Sequence, residues 1–96
     1  MEPMPEYMVE LYVSKTERVA IAFWADRVNR AAAELTAEDR PVRLLRSILV
    51  PEDETCFLLL DADTAETVRE TARRAALQIE RVVEATADLV NPNGRE

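Results

Sequence analysis

The side chains of this sequence that could do chemistry are mostly carboxylates. Glu10 sits between Val9 and Leu11 in an alternating apolar stretch, where a carboxylate must find a partner or become neutral once the stretch is covered. One reading gives it an ion pair or hydrogen bond with Arg46, Arg81 or Ser47. The other makes it a ligand-binding or proton-handling group in a pocket walled by Tyr7, Tyr12 or Trp24. Trp24, Phe23 and Tyr7 also read as ordinary core, since aromatics at helical spacing usually pack inward. Glu52-Asp53-Glu54 offers hard oxygen donors for a loosely held divalent cation. Because it lacks the spaced oxygens and turn glycine of a calcium loop, it reads first as a solvated turn. Cys56 reads first as a small buried hydrophobe, with no helix start or basic neighbour close in sequence to stabilise a thiolate.

Several kinds of chemistry lack their parts. There is no histidine, so serine or cysteine nucleophiles have no usual base, and imidazole-dominated metal sites cannot form. The single glycine, Gly94, leaves no phosphate-cradling loop or dinucleotide fingerprint. A lone cysteine excludes an intrachain disulfide and suits a reducing compartment, so a cytoplasmic location is expected. The net charge of −7 repels phosphate backbones and anionic lipid, and the arginines form no stripe, so neither nucleic acid nor a membrane is an expected partner. The longest apolar run, Val19 to Ala25, is too short to span a bilayer, and the acidic start lacks the positive region of a signal peptide.

With 48% hydrophobic and 32% charged residues, the 96-residue chain has the composition of one globular domain. The expected domain runs over residues 6–90, with disordered tails at 1–5 and 91–96. Glu6 to Val13 alternates, with Tyr7, Val9, Leu11 and Val13 on one face and Met8, Glu10 and Tyr12 on the other, which is the period of a strand. Ser14 and Thr16 then offer helix caps, with Glu17 suited to the helix start. Ile21, Trp24, Val28, Ala31 or Ala32 and Leu35 recur at helical steps, and Pro41 ends the helix near Ala37. Val42–Val50 and Thr55–Asp61 read as strands joined by a short polar hairpin. A second helix is predicted over Ala65–Ala76, capped by Asp63 or Thr64, and a last strand over Ile79–Ala85.

The order strand, helix, strand, strand, helix, strand, with right-handed crossovers, gives an α+β, ferredoxin-like βαββαβ fold: a four-stranded antiparallel sheet with both helices on one face. Phe57 to Leu60 is apolar on both faces although the strand is central. Met8, Tyr12, one side of Phe57–Leu60 and half the apolar residues of 42–50 leave roughly 500 Å² of apolar surface away from the helices. A second copy is the expected cover, giving a homodimer through the helix-free face. The alternative is that residues 86–90 fold over the sheet.

Several segments resemble a family of small bacterial proteins called nickel-binding or nickel-responsive. They are Tyr7-Met8-Val9-Glu10, the hairpin Ser47 to Phe57, Ala62, Thr64, Glu66, Val68, and Arg81 to Ala85. The resemblance implies a ferredoxin-like fold and a dimer of the dimeric α+β barrel type, and it points to Glu10, Glu52, Asp53 and Cys56 as the matching candidate metal residues. A nickel-type ion would have to be held by carboxylates and Cys56, whereas nickel favours nitrogen and sulfur donors, so no cofactor is assigned. The family tends to place glycine where this chain has Ala76; if that position needs a positive φ, alanine costs on the order of 1 kcal/mol.

Together these readings favour a non-enzymatic dimeric module that binds a small molecule or a protein, with Glu10, Tyr12 and Trp24 as candidate ligand contacts. The alternatives are a divalent-metal protein using carboxylates, and a cofactor-free enzyme of the dimeric α+β barrel type with Glu10 as base.

Overall fold

A computed structural model describes residues 4–14 and 20–85. Its elements are strand β1 (Glu6–Tyr12), helix α1 (Ala20–Ala37), strand β2 (Val42–Val50), a 3-10 turn (Pro51–Asp53), strand β3 (Thr55–Ala62), helix α2 (Ala65–Arg74) and strand β4 (Ile79–Ala85). The strands form one sheet in the order β2-β3-β1-β4, and every neighbouring pair is antiparallel. This is the ferredoxin-like α+β arrangement expected from the alternation of periods along the chain. The predicted cap of α1 at Thr16 and Glu17, the extension at 86–90, and tail residues 1–3 and 91–96 lie outside the described residues.

Alternation sets which residues meet the helices. On β1, Tyr7, Val9 and Leu11 point inward; on β3, Cys56, Leu58, Leu60 and Ala62 do. They pack against Val28, Ala32 and Leu35 of α1 and Val68 of α2, with Trp24, Leu44, Leu49 and Val82 partly buried around them. Leu35, fully buried, is among the largest enclosed side chains. Phe23 departs from the core expectation, being 67% exposed. One position along a helix is a turn of about 100°, so Phe23 leaves the sheet-facing stripe that its neighbour Trp24 joins.

Two irregularities interrupt the register. Leu44 pairs with Leu60 and Arg46 with Leu59, so Leu45 is an extra residue in β2. Strict alternation would put Val42, Leu44, Arg46, Ile48 and Val50 on one face; the bulge instead turns Val42, Leu44 and Leu49 inward and Arg46, Ile48 and Val50 outward. On β4, Arg81 pairs with Glu10 and Ile79 with Leu11, leaving Glu80 as the extra residue. That bulge lets Ile79 pack on the core while Arg81 faces the other way.

The helix ends use left-handed residues in place of glycine. Helix α2 stops at Arg74 rather than at the predicted Ala76. Ala76 N donates to Arg73 O and Leu77 N to Ala72 O, both at 3.0 Å, and Ala76 has φ 59°. These crossed bonds are a Schellman closure. The end of α1 repeats them: Asp39 N donates to Thr36 O, Arg40 N donates to Leu35 O, and Asp39 has φ 66°. At its other end α2 is capped by Thr64, whose hydroxyl accepts from Thr67 N at 3.2 Å. The helices are joined by Arg74, which donates to Glu38 at 2.9 and 3.0 Å while also contacting Glu34 and Glu70. This hydrogen bond from the Arg74 guanidinium holds the Glu38 carboxyl below its ordinary range.

Candidate functional site

The face of the sheet turned away from the helices is the surface on which polar and apolar side chains meet in order. Its rows follow from the register. The first, across the strands, holds Ala85, Glu6, Asp61 and Arg43; the second Val83, Met8, Leu59 and Arg46; the third Arg81, Glu10, Phe57 and Ile48; the last Tyr12, Thr55 and Val50. Apolar side chains therefore fill the middle, and charged groups stand at defined places around them.

Glu10 has the partner that the first reading of its carboxylate required. Arg81 Nε donates to Glu10 Oε1 at 2.8 Å, and the two are direct cross-strand neighbours. Tyr12 lies on the same face, 57% exposed. Trp24 does not: α1 covers the opposite face, and Trp24 packs against the core there. The proposed ligand trio is thus divided by the sheet, with Glu10 and Tyr12 on one side and Trp24 on the other.

The candidate metal residues are likewise dispersed. Cys56 pairs with Leu11 and points into the core with 0% of its surface exposed, whereas Glu10 points outward. Burial raises the Cys56 thiol above its ordinary pKa, against a smaller lowering by a backbone hydrogen bond at Ile48, so the thiolate needed for metal binding is disfavoured. Glu52 and Asp53 are exposed on the 3-10 turn beyond the Tyr12 end of the sheet. Among the described residues no group of three or more Cys, Asp or Glu is close enough to hold a metal ion. Between sheet and helices, a gap lined by Val9, Val28, Leu58, Val68 and Leu77 measures about 10 Å³ and is apolar, so it is packing space rather than a ligand chamber.

The structure adds a charged row that sequence reading did not find. Arg43 donates from Nη2 to Asp61 Oδ2 at 2.9 Å. Asp61 is only 8% exposed, and its Oδ1 is buried without a hydrogen-bond partner. Glu6 is the residue directly across from Asp61 on β1. Two carboxylates thus lie side by side at one end of the face. Alternation past Leu60 could have turned Asp61 outward on paper, but Arg43 and Glu6 join it only through the register.

Comparison with known proteins places this geometry. The model of a protein family described as nickel responsive protein SCO4226-like matches residues 7–85, nearly all of the described chain. The chain belongs to the SCO4226-like family. The crystal structure of SCO4226 from Streptomyces coelicolor A3(2) aligns with TM-score 0.60 at 15% identity, covering 86% of this chain and 98% of that one, which shows a shared fold. No curated protein matches the chain. The donor set of this SCO4226-like protein does not fit a nickel site of the usual nitrogen and sulfur kind: it has no histidine, and its one thiol is in the core. Ala76, where the SCO4226-like resemblance led us to expect glycine, does adopt the left-handed conformation. No helix among the described residues is long and apolar enough to cross a membrane.

Proposed function

We propose that this SCO4226-like protein acts as a small homodimeric binding module, without catalysis, in which two sheets meet through their helix-free faces and hold a small molecule or a protein segment between or beside them. The observation that carries the reading is the apolar centre of that face. Met8, Leu59, Phe57, Ile48 and Val50 lie in adjoining rows, with Ile48 44% exposed and no helix among the described residues on that side. A two-fold partner lets one patch cover itself.

The state of Glu10 favours binding over acid–base catalysis. Arg81 holds one oxygen of Glu10 at 2.8 Å, so the carboxylate is oriented by a partner within the sheet rather than presented alone to a reacting group. The lone buried cysteine suits the reducing cytoplasm.

Sedimentation equilibrium at micromolar concentration tests the reading. The expected mass is twice the 10.9 kDa of the chain. A strict monomer up to 100 μM, on the order of the weakest useful association, overturns it. Titration calorimetry with nickel, zinc and copper probes the metal alternative, and heat of binding below about 100 μM would replace the module reading with a carboxylate metal site.

A further inference from the structure

On the helix-free face most charged groups find partners within the chain, and the exceptions are of opposite sign. Glu10 is paired with Arg81, and Asp61 Oδ2 with Arg43. Arg46, exposed on β2, has no ion pair or hydrogen bond among the described residues, and neither has the half-buried Glu6 on β1. Asp61 Oδ1 is buried and lacks a donor. Within one sheet Arg46 faces Leu59, while the near side of Asp61 is taken by Arg43. Among the described residues this face therefore carries one unpaired cation, Arg46, at the edge of its apolar patch and one unpaired carboxylate within reach of a partner, Glu6, at one end of it, since Asp61 Oδ1 is enclosed within its own chain.

A second copy seated on the patch would strip water from Arg46, which is unfavourable unless an anion meets the guanidinium. Two-fold symmetry makes every such contact occur twice, so a surface with one unmatched cation and one unmatched anionic site is suited to pair with itself. A guanidinium also matches two carboxylate oxygens held side by side better than a point charge does.

We propose that in the homodimer Arg46 of each protomer reaches across the interface to the partner's Glu6, beside the Arg43–Asp61 pair, and so fixes the relative orientation of the two sheets. This rests on the dimer proposed above, and it goes further by assigning the residues that set the register of the faces. The occupant is a second copy because the unmatched charges are complementary to each other and need no third species.

The test is a charge exchange read by sedimentation equilibrium in 150 mM salt, with circular dichroism confirming that each variant is folded. Arg46→Glu and Glu6→Arg each place like charges together and are expected to raise the dimer dissociation constant about tenfold or more. The double variant Arg46→Glu/Glu6→Arg restores opposite charges and should return it to within about threefold of the wild type. Arg46→Gln, which leaves size nearly unchanged, should flatten the salt dependence of dimerisation. A dimer whose dissociation constant ignores the single substitutions, or a double variant no better than the singles, refutes the cross-interface contact while leaving the dimer standing. A wild-type monomer removes the dimer itself.

Discussion

Replacing Ala76 by glycine should stabilise this protein, and the magnitude follows from one torsion angle. Ala76 holds φ 59° because the α2 closure needs a left-handed residue between Arg73 and Leu77. A Cβ in that conformation costs about 1–2 kcal/mol through its clash with the following carbonyl. Glycine removes the clash but gives the unfolded chain more freedom, which offsets about 0.4–1 kcal/mol. The midpoints of these ranges leave a net gain of roughly 0.8 kcal/mol, which raises Tm by roughly 3–6 °C in a domain of this size. Urea unfolding followed by circular dichroism measures it directly, with an unchanged m-value as the sign that only the native turn has altered. Ala75→Gly is the internal control. Ala75 has φ −80°, an ordinary right-handed value, so glycine there should destabilise by about 0.5–1 kcal/mol. If both substitutions destabilise, the strain attributed to Ala76 does not exist and the argument fails.

Two other perturbations have definite expected outcomes. Thr64→Ala removes the hydroxyl that accepts from Thr67 N and should cost about 1 kcal/mol in urea unfolding, whereas Thr64→Ser should retain most of it; equal losses would mean that the cap is not the source. The Cys56 thiol, raised by burial, stabilises the fold fully below its ordinary value near 9.0, and that contribution is lost as pH climbs through the higher folded value. Stability should therefore fall less between pH 8 and 10.5 in Cys56→Ala than in the wild type, and a thiol reagent should modify the native protein only as fast as it opens; prompt labelling at the rate of a free thiol would contradict the burial.

Sequence pattern carried the fold because two periods are cleanly separated along the chain. Tyr7, Val9 and Leu11 mark a strand, Val28, Ala32 and Leu35 a helix, and Pro51-Glu52-Asp53-Glu54 separates two apolar runs, so the element order and the antiparallel sheet followed. The pairing of Glu10 with Arg81 was among the readings open to the sequence, since it needed only opposite charges on neighbouring strands. What escaped depended on register. Nothing in Leu44-Leu45-Arg46 announces a bulge, yet that one extra residue decides that Arg46, Ile48 and Val50 share a face with Arg43. Likewise Glu10 was grouped with Cys56 as a metal candidate and with Trp24 as a ligand contact, and the sheet holds Glu10 on one side and the other two on the core side because adjacent positions in a strand alternate. The early end of α2 was hidden by alanine, a strong helix former placed where the backbone turns left-handed.

The two bulges bear on how copies of this chain are kept from joining edge to edge. Both lie on the outermost strands, Leu45 in β2 and Glu80 in β4, while β1 and β3 pair without interruption. An outermost strand with a straight, unbroken ladder invites end-on addition of further chains and so fibrous growth. A local kink spoils that template, and the cationic Arg43 and Arg46 on one rim add to the obstruction. Lateral polymerisation is thereby discouraged at each border, an obstacle that the face-to-face pairing proposed above does not meet.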